Sequence, residues 1–159
     1  MRLTQYTDYG LRLLIYLAVT PGNSASLGEI ADSYKISKAH LKKVAQAMAA
    51  NGLLTTQRGR TGGIKLVKEP TQIVIGSVVR QLEPDLYLVE CMRPDNECVI
   101  TPACRLRSIS HEARAAVLAV FDRYTLADIV AHPRQQQELG RLLGIRIVAE
   151  PAGDQPSEP

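Results

Sequence analysis

From Ser26 to Val67 three local signals follow one another with no room for anything else between them, and together they leave few folds open. Ser26 is a helix cap, and Glu29 three residues later completes a capping box, with Leu27, Ile30 and Ala31 supplying a buried side. A second helix opens at Ile36-Ser37, with Ser37 as its cap, and runs to Asn51-Gly52, a natural helix end. On it Leu41, Val44, Ala45 and Met48 form an apolar stripe, while Ala39, Lys42, Lys43 and Gln46 project from the opposite face. Then Leu53–Arg58 and Ile64–Val67, short strand-like runs around Gly59-Arg60-Thr61-Gly62-Gly63, predict a β-hairpin with Arg58 and Arg60 near its tip. A short helix, a tight turn, a helix with a basic outer face and a hairpin make a helix-turn-helix followed by a wing.

The flanking sequence extends a mainly helical reading. A first helix is expected over Thr7–Val19, capped by Thr7 with Asp8 near its positive end. Helical spacing returns over Ile75–Glu83, and Glu83-Pro84 ends it. The longest helical pattern, Leu106 to Tyr124, carries Ile109, Ala113, Ala116, Val117, Val120 and Phe121 on one side. A small helix over Leu126–Val130 follows, with Thr125 as cap. The expected organisation is a DNA-binding unit over 1–83, a cysteine-containing loop over 84–105, a long helix and a short one over 106–130, and a polar tail over 131–159. That tail is expected to be largely disordered, with only a marginal helix over Gln135–Leu143.

Charge supports a polyanion-facing surface. Residues 35–68 hold Lys35, Lys38, Lys42, Lys43, Arg58, Arg60, Lys65 and Lys68 and no acidic residue, although the whole chain is only +3. A helix with that outer face fits a major groove, and arginines on a hairpin tip reach an adjacent minor groove. Ser37, Lys38 and His40 lie near the helix N-terminus, where base contacts concentrate. Lys42, Lys43, Arg58 and Arg60 suit phosphates or a groove. No run approaches the roughly 18–20 apolar residues that span a bilayer, and Asp8 interrupts any signal-peptide core, so a cytoplasmic protein with no membrane partner is expected.

The three cysteines, Cys91, Cys98 and Cys104, crowd into fourteen positions, and their odd number argues against a disulfide framework. Thiolates are soft ligands for iron–sulfur clusters or zinc. The wide spacings and the count of three depart from the close knuckles and four ligands of structural zinc, while three unliganded thiols remain the simplest alternative. Three thiolates around a four-iron cluster leave one iron with a different ligand, and Arg93, Arg105 and Arg107 can offset the cluster's negative charge. No nucleophile elbow, zinc-protease helix, phosphate loop or carboxylate pair is present, which points away from an enzyme.

Met1 to Arg12, the segment Ile36-Ser37-Lys38-Ala39-His40-Leu41-Lys42-Lys43-Val44, the wing Gly59–Gly63 and Cys91 to Cys104 together resemble the winged-helix iron–sulfur transcriptional repressors. The resemblance covers roughly residues 1–130 and is strongest to the nitric-oxide-sensing branch. It implies a homodimer crossing through the helix around Leu106–Tyr124, a [4Fe–4S] cluster on Cys91, Cys98 and Cys104, repression by the cluster-loaded dimer, and release of double-stranded operator DNA when nitric oxide nitrosylates the cluster. It also implies a fourth ligand at Asp8, contributed by the other subunit, although an acid in a first helical turn simply favours the helix dipole as well. A branch with a [2Fe–2S] cluster places a histidine close after the third cysteine. Here position 107 is Arg107 and the nearest downstream histidine is His111. An iron- or cluster-status regulator of the same family and a zinc-stabilised DNA-binding module are the alternatives.

Overall fold

The computed structural model describes residues 2–57 and 62–145. Arg58 and Arg60, and the chain beyond Ile145, lie outside the described residues, so the expectations for the hairpin tip and the final tail are not addressed.

The first helix, α1, spans Gln5–Val19 and begins earlier than its expected start at Thr7. Thr4 is the cap: its side chain accepts from the Thr7 N–H. Thr7 itself is fully buried and points its hydroxyl at Glu83. Leu13, Leu14 and Leu17 of α1 are completely buried and form the spine of the core. A tight turn at Pro21–Asn23 leads to β1 (Ser24–Ala25), a two-residue strand too short to leave a periodic signal.

Helix α2, Leu27–Tyr34, carries the capping box expected of Ser26 and Glu29. The box holds the Glu29 carboxyl below its ordinary range, because the Ser26 N–H and hydroxyl both favour the charged form. The helix stops at Lys35, whose backbone is left-handed at φ 54°. Helix α3, Lys38–Ala50, then buries Leu41, Val44, Ala45 and Met48 as its stripe predicts. Ser37 stands at its N-terminal boundary, but its side chain makes no capping bond.

Strands β2 (Leu54–Gln57) and β3 (Gly63–Leu66) pair antiparallel, with Leu54 opposite Leu66 and Thr56 opposite Ile64. β1 adds to the other edge of β3, giving the order β1-β3-β2. Gly63 is required there, since a methyl group would sit 2.6 Å from the Ala25 carbonyl oxygen. Leu54, Ile64 and Leu66 point into the core; Thr55, Gln57 and Lys65 face out.

Helix α4, Ile75–Leu82, packs Ile75, Val78, Val79 and Leu82 inward. After an irregular segment containing a short turn at Glu90–Met92, α5 runs Leu106–Asp122. Its apolar residues do not share one face. Val117, Leu118 and Phe121 are partly buried, and the latter two pack against the core. Leu106, Ile109, Ala113, Ala116 and Val120 instead form an exposed stripe at three- and four-residue spacing. Helix α6, Leu126–Ile129, starts with a second capping box from Thr125 and Asp128.

The polar composition beyond His132 predicts little structure, yet α7 spans Pro133–Leu143. Leu143 is buried in the core, its carbonyl accepts from the Ser33 hydroxyl at 2.7 Å, and Gly144 ends the helix left-handed. Three anchors, Leu139, Gly140 and Leu143, dock a helix whose other positions are mostly polar, with Leu142 exposed. The fold is a winged helix-turn-helix, with α1, α4, α6 and α7 packed behind it.

Candidate nucleic-acid interface and metal centre

Ser37, Lys38, His40, Lys42 and Lys43 are all exposed on α3. Their side chains make no hydrogen bond or ion pair among the described residues, so the donors and charges of this face are uncommitted. Ala39 and Gln46 are exposed with them. The sheet lies beside α3, placing exposed Thr55, Gln57 and Lys65 on the adjoining surface. A convex basic helix flanked by a small sheet is the shape that enters a DNA groove while the wing follows the backbone.

Two contacts fix this face to the core and have no motif in the sequence. The Tyr6 hydroxyl of α1 donates to the Lys43 carbonyl at 3.3 Å. At the other end of α2, Tyr34 meets Tyr16 edge-on with centroids 6.2 Å apart, and the Arg12 guanidinium lies 5.9 Å above the Tyr34 ring. Burial pushes the Tyr34 phenol up to about 12, against a smaller opposing pull from Arg12.

The cysteine loop begins where Glu83 ends α4. The Glu83 carboxylate accepts from the Thr4 N–H at 3.2 Å, the Thr4 hydroxyl at 3.2 Å and the Thr7 hydroxyl at 2.5 Å, tying the loop's origin to the start of α1. Between α1 and residues 83–88 lies a cleft of about 410 Å³ lined by Arg2, Thr4, Asp85 and Tyr87 among others. Cys91 is 7% exposed, in the turn Glu90–Met92; Cys98 and Cys104 are half-buried, and all three thiols are free of disulfides. The loop around them is pinned by the Glu97 N–H donating to the Glu90 carboxylate at 3.1 Å and the Thr101 hydroxyl donating to the Asn96 side-chain Oδ1 at 2.8 Å. Cys104 stands two residues before α5, and the Leu106 N–H donates to its sulfur at 3.4 Å.

The arginines expected to balance a cluster divide. Arg93 is paired with Asp85 at 3.5 Å, whereas Arg105 and Arg107 are exposed. Asp8 lies on α1 and pairs with Arg12 at 2.9 Å. His111, the nearest downstream histidine, meets the Arg114 guanidinium through Nδ1 at 3.3 Å. Among the described residues, no three His, Cys, Asp or Glu side chains gather closely enough to hold a single metal ion. Three free thiols on one pinned loop do fit, in donor chemistry, the thiolate set of an iron–sulfur cluster. Among the described residues the four ligands of one tetrahedral zinc are not brought together.

Among the described residues no helix is long and apolar enough to cross a membrane. Residues 3–132 match the Rrf2 family, described as iron-dependent transcriptional regulators. The chain is 52% identical over 132 residues to the HTH-type transcriptional regulator NsrR of Shouchella clausii, covering 82% of this chain and 89% of that protein. It is 45% identical over 148 residues to the NsrR of Bacillus subtilis, covering 92% and 99%. Among solved structures, CymR, the global cysteine regulator of B. subtilis, superposes with a TM-score of 0.66 at 32% identity, covering 82% of this chain and 97% of that one. IscR of T. potens shares the fold at a TM-score of 0.65 and 24% identity. These relatives are transcriptional regulators and not enzymes. An exposed basic recognition helix, its adjoining sheet and these matches lead to one conclusion: the chain belongs to the Rrf2 family of DNA-binding transcriptional regulators.

Proposed function

We propose that this regulator is a cytoplasmic, nitric-oxide-sensing repressor that binds operator DNA as a homodimer. Cys91, Cys98 and Cys104 would hold a [4Fe–4S] cluster, with Asp8 of the partner subunit as fourth ligand. Operator release would follow nitrosylation of the cluster. The observation that carries this reading is the continuity of loop and helix. Three free thiols end two residues before α5, and α5 leaves Leu106, Ile109 and Val120 exposed at 49%, 55% and 46%. A second copy crossing on that stripe would bury these side chains, at about 25 cal/mol per Å² of apolar surface removed from water.

When bound, the cluster supplies an iron open to small-molecule attack. The protein's own residues do the rest. Cys104 transmits loop position to α5 through the backbone. Lys42 and Lys43 meet phosphate, while Ser37, Lys38 and His40 face base edges, and the wing arginines Arg58 and Arg60 extend that contact. Dimeric helix-turn-helix proteins must present two recognition helices about one DNA turn apart, so a small reorientation abolishes specific binding. The [2Fe–2S] alternative is weakened by Arg107, which stands close after the third cysteine where that branch places a histidine.

The test is the visible spectrum of anaerobically purified protein during stepwise addition of nitric oxide, with DNA binding followed in parallel. A brown thiolate-to-iron band that bleaches as the complex dissociates is expected. A protein that stays colourless after anaerobic reconstitution, or that binds DNA equally with and without nitric oxide, removes the sensor and favours a module without sensing.

A further inference from the structure

Helix α5 is fastened unevenly to the rest of the described structure. Along its seventeen residues Ser110 is the single buried one, and its first turn has no side-chain cap. Its C-terminal third is different. Leu118 and Phe121 pack against the core. Arg80 of α4 grips Asp122 with both guanidinium nitrogens on both carboxylate oxygens, each at 2.6 Å. Just beyond, the Ile75 N–H donates to the Tyr124 carbonyl at 2.9 Å, and the Leu126 N–H donates to the Ile73 carbonyl at 2.8 Å.

The space for this grip is specific. Gly76 lies one helical turn before Arg80, and any β-carbon there would collide with the Asp122 carboxylate and stand 3.0 Å from an Arg80 nitrogen. A fork-on-fork pair fixes orientation as well as distance. As an exposed pair, about 40% accessible on each side, it contributes little to stability. Its consequence is therefore geometric.

Resting on the sensing role given above, we propose that Arg80 and Asp122 are a positioning clasp. They make residues 122–126 the fixed end of a lever, and the free end of that lever begins beside Cys104. Movement of the cysteine loop then reaches the DNA-binding unit as a rotation about the clasp and is not dissipated by sliding of α5. Gly76 belongs to the device because it lets α4 and α5 approach closely enough for the pair to close.

The test uses full-length R80A, D122A and G76A, and the charge-reversed double variant R80D/D122R. Two quantities are read. The first is hydrogen exchange across 116–124 in the cluster-free protein. The second is affinity, with and without cluster, for a duplex selected by the wild-type protein from a random-sequence pool. Exchange in the three single variants is expected to quicken by about twofold to fivefold across that segment. The ratio of the two affinities is expected to collapse towards one while the melting temperature and cluster absorbance hold. The reversed pair is expected to recover both readouts. Wild-type exchange and an unchanged ratio in R80A overturn the clasp. A wild-type protein whose affinity ignores the cluster overturns the sensing role and its transmission together. In that event quickened exchange in R80A would still identify residues 122–126 as the fixed end.

Discussion

Removing the Glu83 carboxylate should cost more stability than its position on the rim of a cleft suggests. Glu83 accepts from Thr4 N–H, Thr4 hydroxyl and Thr7 hydroxyl, and Thr7 has no solvent exposure at all. In Glu83→Ala the Thr7 hydroxyl keeps one partner, the Thr4 hydroxyl at 3.2 Å, and the first turn of α1 keeps Asp8 as its only nearby anion among the described residues. A hydrogen bond to a charged acceptor contributes about 1.5–3 kcal/mol, and a buried donor left poorly satisfied costs about 1–3 kcal/mol. A charge at a helix N-terminus adds about 0.3–1 kcal/mol. These overlap, because the same donors are counted in each, so the expected loss is about 2–4 kcal/mol. For a chain of this size that is a fall in melting temperature of roughly 4–16 °C. Glu83→Gln keeps an acceptor oxygen and should lose about half as much. Urea denaturation of Glu83→Ala, Thr7→Val and the double variant measures the coupling, expected to be non-additive by about 1–2 kcal/mol. A Glu83→Ala loss below about 0.5 kcal/mol, the scale of an ordinary surface change, would refute the reasoning.

Lys42→Ala and Lys43→Ala should each weaken binding to all duplexes alike and flatten the dependence of log affinity on log salt by about one; a change confined to particular base sequences would assign them to base recognition instead. The folded Tyr34 phenol, raised to about 12, stays protonated where an unfolded tyrosine ionises, so its contribution is complete below pH 10. That contribution is lost as pH rises through about 12. Phenolate absorbance should show one late phase that Tyr34→Phe removes, and a titration unaltered by that substitution would contradict it.

What the sequence reveals and what it hides follow from the range of each interaction. The Ser26–Glu29 box, the stripe on α3 and the two strand runs depend on neighbours within a few residues, and they stand close to where pattern places them. Thr4 is misread in favour of Thr7 because its reinforcing acceptor lies 79 positions away. The split of α5 into an inward and an outward apolar face is equally hidden, since only α4 and the core decide which residues turn in. α7 escapes a compositional reading because three small or apolar contacts outweigh its polar surface. At the candidate site, the exposure of Ser37, Lys38, His40, Lys42 and Lys43 follows from helical period alone. The grouping of Cys91, Cys98 and Cys104 is equally plain, but the commitment of Arg93 to Asp85 and of His111 to Arg114 appears only in three dimensions.

The bond from Ser33 to the Leu143 carbonyl has a consequence for synthesis. It joins the first helix of the DNA-reading motif to a residue 110 positions later. A chain emerging from the ribosome therefore presents its basic face before the helix that braces α2 has been made. The contact between α2 and α7 can close only once Leu143 has cleared the exit tunnel. Shortening the chain before that residue would leave a reading head that forms without its final brace.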